Sequence, residues 1–312
     1  MLAETLGIGD LARLTGLPVR TIRFYCDEGV VGSVRSTGGH RRFGPAAVER
    51  LMLVRRLRRL GLGLSAVRDV LDGERSVGEA VAAERSSLDA RIAELAWRRA
   101  SLRAVEEAAG PAERDARLDL LAAVENGTAA HDALVDFWRR TMVAPVSEAM
   151  LRAFVSIAVP DPPTDPSPRH VVAFAELFAL AGDRALARGL LDRARTHGHL
   201  LLDEDELVAG IGEACALAEP LVRAGGAPGA GPALDAFVAA HASVRGARDT
   251  AGFRGRLAEY VAVDRSPRMR RYWRLAAEAG GSAVTVGTTY LWLTDALAGS
   301  VEMGLPQVGA VG

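Results

Sequence analysis

Apolar positions near the amino end recur with a helical period in two short segments. The first segment spans residues 8–14 and ends at Thr15-Gly16, and the second begins after Pro18, which the first turn of a helix tolerates. Two short helices joined by a tight turn that contains glycine are typical of a helix-turn-helix motif. Because any αα-hairpin has the same pattern, the periodicity by itself does not establish a function.

A short β-prone region and further amphipathic segments follow this pair. The β-prone pieces flank Gly38-Gly39, which predicts a two-stranded hairpin. Pro45 then opens an amphipathic helix that ends at Gly61, and a shorter helix continues to Leu71. The first 71 residues are therefore predicted to combine four helices with one small hairpin.

One long helix is predicted from Ser76 to Ala109. Its d positions are apolar in four successive heptads: Val81, Leu88, Leu95 and Leu102. Its a positions are mostly charged: Arg85, Ile92, Arg99 and Glu106. A weak seam of this kind suits an antiparallel pair of helices, so we predict dimerisation through the four d residues and Ile92. The alternative is a solvated amphipathic linker helix.

Helical periodicity continues beyond Gly110-Pro111, punctuated by glycine and proline. The predicted helices lie at about residues 112–125, 128–143, 145–158, 169–181, 183–197, 203–224, 232–245, 249–264, 266–279 and 284–299. The proline-rich stretch 160–168 cannot be helix interior, because proline lacks the backbone donor and restricts the preceding residue. No alternating strand pattern is visible in this region of the sequence, so we predict an all-α domain.

Charge divides the chain at about residue 70. The 312 residues carry a formal net charge of −1, and all 38 basic residues are arginines. Residues 1–70 hold 12 arginines against 6 acidic residues, whereas the remainder holds 26 arginines against 33 acidic residues. A basic amino-terminal region joined to an acidic body indicates that the basic part meets a polyanion.

Composition excludes several classes of protein. A chain that is 49% hydrophobic and 25% charged is typical of a soluble globular protein. The isolated Cys26 and Cys215 argue against a disulfide framework and a multi-cysteine metal cluster. The amino terminus lacks a signal-peptide pattern, and the stretch Gly280–Val301 favours a core helix over a membrane span. We expect a cytoplasmic protein that makes no membrane contact.

Three segments, taken in order, resemble the MerR family of transcription regulators: IGDLARLTGLPVRTIRFYCDEGVV, GGHRRF and AAVERLMLVRRLRRLGLGLSAVRDVL. The resemblance covers roughly residues 6–109. It implies a winged helix-turn-helix on a long antiparallel coiled-coil helix, followed by a variable effector domain. It also implies a homodimer that binds a pseudo-palindromic site in double-stranded promoter DNA. Such a dimer distorts an overlong spacer so that RNA polymerase engages both promoter elements.

The recognition helix of this motif corresponds to residues Val19–Asp27. Its candidate DNA contacts are Arg20, Thr21, Arg23, Phe24 and Tyr25. Arginine suits bidentate contact with guanine or phosphate, and a tyrosine hydroxyl can donate to phosphate. Phe24 stands where the family's R-Y-Y motif has its first tyrosine, so one phosphate hydrogen bond is missing there. The alternative for Phe24 is packing in the core.

The predicted wing supplies a second set of candidate contacts: His40, Arg41, Arg42 and Phe43. Arg41 matches the arginine of the family's G-Y-R-x-Y pattern, with His40 and Phe43 at its aromatic positions. Wings reach the adjacent minor groove or the backbone, where cations gain most. Arg58 aligns with a family position that touches the DNA backbone. Part of the arginine cluster around it also complements the helix dipole, which needs no DNA.

Family members sense metals, oxidants or organic molecules through the region after the coiled coil. The isolated cysteines disfavour soft metals and thiol redox chemistry here. His197-Gly-His199 before an acidic run favours a polar turn over a metal site. An organic effector is the remaining expectation, with six candidate ligand-binding residues: Trp138, His131, Tyr272, Trp273, Tyr290 and Trp292. The alternative for each of them is a place in the core.

The sequence thus predicts an all-α dominated fold with a small β-hairpin wing and no cofactor. We expect a winged helix-turn-helix DNA-binding domain over residues 1–75, a dimerisation helix over 76–110 and an all-α effector-sensing or regulatory domain over 111–312. Catalytic motifs such as Ser-His-Asp or a P-loop are absent from the sequence, so no enzyme is expected. The expected function is a homodimeric promoter-distorting activator that responds to an organic ligand. The alternative is a repressor or architectural DNA binder whose helical domain recruits a protein.

Overall fold

The computed structural model describes residues 5–36, 39–142, 147–197 and 203–304. The chain forms two compact units, Met1–Ile92 and Ala93–Gly312. The boundary between the units falls within one long helix, so the three-part division expected from the sequence stays a prediction. We describe each unit by itself.

The first unit contains a small sheet and five helices. In chain order its elements are β1 (Leu6–Gly7), α1 (Ile8–Thr15), α2 (Val19–Asp27), β2 (Val34–Arg35), β3 (Arg41–Phe43), α3 (Ala46–Arg59), α4 (Leu64–Leu71) and the start of α5 (Val77–Glu106). The antiparallel sheet has the order β1-β3-β2, and Leu6 pairs with Phe43. The predicted hairpin is therefore present as β2 and β3. The third strand was not predicted, because two residues are too few to show an alternating pattern.

A glycine forms the tight turn between α1 and α2. Gly16 has a φ of +68°, a left-handed conformation that glycine adopts without steric penalty. A Cβ atom at Gly16 would also lie 2.8 Å from Nη1 of Arg55. Arg55 donates a hydrogen bond of 2.7 Å to the carbonyl of Thr15, which fastens the end of α1 to α3. The turn thus depends on a residue without a side chain.

One hydrophobic core holds the first unit together. It takes fully buried side chains from α1, α2, β3, α3 and α4, among them Leu11, Ile22, Phe43, Leu51 and Val67. The long helix α5 adds Ala80 to this core. Burial of such side chains contributes about 1.5–3 kcal/mol each, which is what fixes the recognition helix against its neighbours.

All the secondary-structure elements described in the second unit are helices. After the rest of α5 it contains α6 (Pro111–Ala122), α7 (Gly127–Thr141), α8 (Glu148–Ala158), α9 (Pro168–Ala181), α10 (Arg184–His197), α11 (Glu204–Arg223), α12 (Pro232–Ser243), α13 (Ala251–Tyr260), a 3-10 helix (Ala262–Arg265), α14 (Pro267–Ala279) and α15 (Val286–Gly304). The all-α dominated fold class is confirmed. One predicted helix, at 249–264, is two elements, because the chain tightens into the 3-10 turn after Tyr260.

Side-chain caps explain where many of these helices begin. A side-chain oxygen of the residue before the helix accepts a backbone hydrogen bond at six of them: Asn126, Ser147, Ser167, Asp203, Thr250 and Ser266. Caps of this kind stabilise a helix by about 1 kcal/mol. They agree with the helix starts that the sequence predicts to within a few residues.

Two hydrophobic clusters lie within the second unit. The first contains an aromatic group around Trp138, whose indole donates to the hydroxyl of Tyr272 at 2.7 Å, and Tyr272 donates onward to the carbonyl of Ala158 at 2.8 Å. The second is built around Phe237 from α12 and Leu293 from α15. No helix among the described residues is long and apolar enough to cross a membrane.

Candidate nucleic-acid interface

The recognition helix α2 presents most of its predicted contact residues to solvent. Arg20 and Arg23 are exposed, and Thr21 is half-buried. Phe24 is 50% exposed, so core packing does not account for it. Tyr25 is only 7% exposed and its ring packs in the core of the first unit, which leaves it little surface for DNA. The helix therefore has an outer face of two arginines and an aromatic ring.

An ion pair fastens the wing to the recognition helix. Arg41 on β3 donates to the Asp27 carboxylate at 2.7 Å, at the end of α2. The same hydrogen bond raises the pKa of Arg41, so Arg41 keeps its positive charge. Burial raises the pKa of the neighbouring Cys26 thiol, which disfavours a reactive thiolate at this position. Asp27 was not singled out in the sequence, because nothing local indicates that it faces residue 41.

A groove of about 710 Å³ lies between α2 and the wing. Its charged lining comes from both elements: Arg23, Asp27, Arg35, His40, Arg41 and Arg42. Four of these six side chains are arginines, and one is a histidine. The structure therefore brings Arg23 of the recognition helix and His40, Arg41 and Arg42 of the wing together in one groove, whereas Arg20, Thr21 and Phe24 do not line it.

Phe43 requires a correction to the predicted set of DNA contacts. Its side chain is fully buried in the core of the first unit. Successive residues of a strand point to opposite faces, so the exposed Arg42 and the buried Phe43 cannot both reach a ligand. Phe43 anchors the wing, and we no longer assign it a DNA contact.

Several arginines of the first unit act within the fold. Arg50 donates to the carbonyls of Val30 and Leu71, at 2.6 and 3.0 Å. Arg58, a predicted backbone contact, is exposed but donates to the carbonyl of Leu62 at 2.7 Å. Its other donors make no hydrogen bond among the described residues. The two Arg50 contacts join segments about twenty residues apart in sequence, so residue type alone does not reveal them.

Six arginines within the first 70 residues make no hydrogen bond or ion pair in the described structure: Arg20, Arg23, Arg35, Arg42, Arg56 and Arg59. They lie on α2, on the wing and near the end of α3. All six side chains are exposed. Unpaired guanidinium groups on three neighbouring elements are what a polyanion requires.

The predicted dimerisation residues are solvent-exposed on α5. The exposed fractions are 37% for Val81, 49% for Leu88, 62% for Ile92, 56% for Leu95 and 64% for Leu102. By contrast, Trp97 and Ala104 on the same helix are buried in the first cluster of the second unit. The apolar stripe and the packed residues therefore lie on different sides of α5.

The six predicted ligand-binding residues do not form one site. Trp138, Tyr272 and Trp273 contact one another in the first cluster of the second unit, whereas Tyr290 and Trp292 pack against the second cluster. His131 lies apart from both groups, in a groove of about 210 Å³. Their assignment to an effector stays a prediction.

The described residues contain no group of three or more side chains that could hold a metal ion. Of the predicted polar turn His197-Gly-His199, the last two residues lie outside the described ranges.

Known proteins are similar in sequence to the segment that carries this interface. The family model described as MerR HTH family regulatory protein matches residues 6–74, and the model described as MerR, DNA binding matches residues 48–108. The HTH-type transcriptional regulator ZntR of Escherichia coli (strain K12) is 32% identical over 130 residues, which cover 38% of this chain and 92% of ZntR. The chain belongs to the MerR family.

Two further relatives of this MerR-family chain match over smaller parts of their own length. The nodulation protein NolA of Bradyrhizobium sp. (strain NC92) is 33% identical over 97 residues, 31% of this chain and 41% of NolA. The transcriptional activator TipA of Streptomyces coelicolor is 37% identical over 90 residues, 28% of this chain and 36% of TipA. The chain thus spans less than half of the length of these two relatives.

As a member of the MerR family, the chain carries the regulatory helix-turn-helix segment of that family at residues 6–74. The family models describe regulatory and DNA-binding proteins. They match the segment that carries the six unpaired arginines, so the resemblance found in the sequence is confirmed.

Proposed function

We propose that the chain is a homodimeric MerR-type regulator that binds a pseudo-palindromic promoter site. The observation that carries this proposal is the set of six unpaired arginines on α2, the wing and α3. A dimer presents two such sets related by a two-fold axis, which matches the symmetry of a pseudo-palindrome. Arg20, Thr21 and Arg23 face the major groove in this arrangement.

The wing and the end of α3 hold the DNA backbone. Arg41 and Arg42 contact phosphates beside the recognition site, with His40 at the tip of the wing. Arg58 contacts the backbone through the donors that Leu62 leaves free. Phosphate contacts of this kind position a protein on DNA without selecting a sequence, so specificity falls to α2.

The homodimer forms along α5. Its exposed apolar stripe, with Leu88, Ile92 and Leu95 at the centre, is supported as an interface by its heptad spacing and its exposure. Charged residues at the a positions weaken a seam of this kind, so the dimer gains from additional contacts elsewhere in the protein.

The bound dimer activates transcription by distorting the spacer between promoter elements. Many phosphate contacts supply the free energy that bends and untwists DNA, and the six arginines are suited to this task. TipA, one of the relatives, is named as an activator. RNA polymerase then engages two promoter elements that have been brought into register.

A small organic effector in the helical second unit regulates this activity. The unit offers aromatic clusters and grooves. The second candidate is a repressor or architectural binder whose helical unit recruits a protein. Acidic residues outnumber arginines after residue 70, which suits a ligand-binding or partner-binding role better than a DNA-binding one.

Footprinting on the DNA that flanks the gene tests this proposal. We expect a protected dyad within a promoter with a long spacer, with hypersensitive bases at its centre where the DNA is distorted. In vitro transcription with RNA polymerase then separates activation from repression. Absence of a protected dyad contradicts the proposal, and protection without central distortion favours the second candidate.

A further inference from the structure

A cluster of basic side chains surrounds one tyrosine ring in the second unit. The guanidinium carbon of Arg245 lies 4.9 Å from the centre of the Tyr260 ring, and that of Arg193 lies 5.6 Å from it. The ring of His241 is 6.1 Å from the Tyr260 ring and packs edge-on against Phe237 at 4.7 Å. The side chains of Arg193, His241 and Arg245 therefore lie around the Tyr260 ring.

One of the two arginines has a carboxylate partner. Arg193 donates to Oδ2 of Asp264 at 2.5 Å, and the hydroxyl of Tyr290 donates to the same oxygen at 2.8 Å. Burial raises the pKa of Tyr290, so this hydroxyl keeps its proton. Asp264 is buried, and its charge balances that of Arg193.

Arg245 is not balanced in this way. No carboxylate among the described residues lies within ion-pair distance of its guanidinium, which donates through Nη1 to the carbonyl of His241 at 2.9 Å. Its Nη2 is buried and has no hydrogen-bond partner in the described structure. Burial lowers the pKa of Arg245, yet arginine stays protonated in proteins. Arg245 as a whole is half-buried, so the cost lies at its shielded Nη2, a charged donor that is withdrawn from water without a partner.

His241 adds a second unused donor. Its Nδ1 lies 3.0 Å from Nη1 of Arg245, and a guanidinium can only donate, so Nδ1 must accept. Burial and the nearby charges of Arg245 and Arg193 lower the pKa of His241 to about 3, so the ring is neutral. The ring proton therefore resides on Nε2. That atom is buried and unpartnered among the described residues, on a side chain that is 1% exposed.

Both unused groups are thus donors, and the one unbalanced charge is positive. A carboxylate only accepts hydrogen bonds and carries a single negative charge. It can therefore accept from the two unpartnered donors and balance the positive charge of Arg245. A phosphate dianion would leave an excess negative charge in a buried place. The rings of Phe237 and Tyr260 pack next to His241, and the Tyr290 ring packs against Phe237, so the surroundings of this site are aromatic.

We propose that Arg245 and His241 bind the carboxylate of a small organic acid, which is the effector of this regulator. This inference rests on the proposal that the second unit senses an organic ligand. It goes beyond that proposal in naming a site and a chemical class. None of the six ligand-binding residues predicted from the sequence is a carboxylate-binding group of this site, although Tyr290 lies next to it.

Ligand-dependent stability of the full-length protein tests the site. The probes are sodium formate, acetate and benzoate at constant ionic strength with chloride, and benzamide is the uncharged analogue of benzoate. We expect a saturable rise of the melting temperature with the carboxylates, about 2 °C or more, and no rise with benzamide. Arg245→Gln should raise the apparent Kd about tenfold or more, because a charged hydrogen bond is lost.

Arg248→Gln is the matched control, since Arg248 is an exposed arginine three residues away. It should respond to carboxylates as the unmodified protein does. The inference is overturned if no carboxylate raises the melting temperature, or if Arg245→Gln responds like the control.

Nitrogen-15 NMR of labelled histidine gives a second measurement that needs no substitution at Arg245. It should show His241 as the Nε2–H tautomer, with benzoate shifting the Nε2 resonance. The Nδ1–H tautomer contradicts the inference.

Footprinting on the same preparations separates this inference from the proposed function. A DNA footprint without any response to carboxylates overturns the carboxylate site and leaves DNA binding in place. A carboxylate response that Arg245→Gln abolishes, in a protein that protects no dyad, supports the site and contradicts the proposed function.

Discussion

The two units of this protein use the same residue types in opposite ways. Six arginines within the first 70 residues are exposed and unpaired in the described structure, and the part of α5 that belongs to the first unit exposes Val81, Leu88 and Ile92. In the second unit, arginines repeatedly pair with carboxylates: Arg99–Asp165, Arg117–Glu113, Arg193–Asp264, Arg254–Asp249, Arg268–Asp183 and Arg271–Glu176. Its tryptophans are mostly buried.

This difference gives a physical meaning to the charge asymmetry of the sequence. Exposed ion pairs contribute about 0–1 kcal/mol to stability, so the pairs of the second unit do little to hold it together. They neutralise the arginines that take part in them, whereas others such as Arg248 and Arg274 stay exposed. The excess of acidic residues after residue 70 weakens the attraction of this part of the chain for nucleic acid. The arginines of the first unit keep that attraction because fewer acidic residues lie near them.

The largest expected effect concerns the exposed apolar stripe of α5. Leu88→Arg places a charge in the seam of α5, and the two-fold symmetry applies the change twice. Loss of about 3–6 kcal/mol should weaken dimerisation about a hundredfold or more, as measured by sedimentation equilibrium. Leu118→Arg, at a leucine of α6 that is 50% exposed, is the control and should leave the dimer intact. Equal dimer affinities for the two variants contradict the proposed interface.

The next effect concerns the unpaired arginines. Arg23→Ala removes a proposed base contact in α2 and should weaken binding to the operator by about 1–3 kcal/mol, with relaxed preference at one base pair. Fluorescence anisotropy with operator and mutated operator DNA measures both quantities. Arg274→Ala, an exposed arginine of α14, is the control. Unchanged affinity and preference in Arg23→Ala would remove α2 from the recognition surface.

A smaller effect concerns the buried hydrogen bond between Trp138 and Tyr272 in the second unit. Tyr272→Phe removes a buried hydroxyl and leaves the Trp138 indole and the Ala158 carbonyl without their partner. We expect the free energy of unfolding to fall by about 1–3 kcal/mol in urea denaturation, with DNA affinity unchanged. Combining it with Trp138→Phe should show coupling between the two residues. Strictly additive effects would mean that this hydrogen bond contributes little.

The smallest effect concerns one capping carboxylate. Asp183 accepts hydrogen bonds from the backbone of Ala185 and from Arg268, at 2.7 and 2.6 Å. The Arg268 bond, followed by the backbone bond, lowers the pKa of Asp183. Asp183→Ala should cost about 1 kcal/mol of stability at neutral pH.

The pH dependence of that effect follows from the sign of the shift. A lowered pKa means that the stabilisation is complete above the unfolded pKa, about 4, and is lost as the pH falls through the lower folded pKa. The difference between Asp183→Ala and the unmodified protein should therefore shrink below about pH 4. A difference that stays constant down to pH 2 would indicate that the carboxylate charge plays no part.

Local pattern was enough to predict most elements of both units. Apolar periodicity and the punctuation by Gly16, Pro18 and Gly61 place the helices of the first unit within a few residues. Side chains that cap or break a helix affect residues close to them in sequence, so helix ends can be predicted from the local sequence. The outer face of α2, with Arg20 and Arg23, was predictable for the same reason.

Contacts between distant segments were not predictable in this way. The ion pair of Arg41 with Asp27 and the burial of Phe43 depend on how β3 packs against α2. The basic cluster around Tyr260 likewise joins α10, α12 and α13. No periodicity indicates that His241 and Arg245, one helical turn apart, turn towards Tyr260.

The salt dependence of operator binding tests the central claim most directly. Affinity should be measured by anisotropy over a series of sodium chloride concentrations for the unmodified protein and for Arg42→Ala, which removes one unpaired arginine of the wing. The account predicts a steep linear fall of log K with log salt, and a slope that is smaller by about one in the variant. Identical slopes and affinities for the two proteins would contradict the claim that the unpaired arginines of the first unit hold DNA.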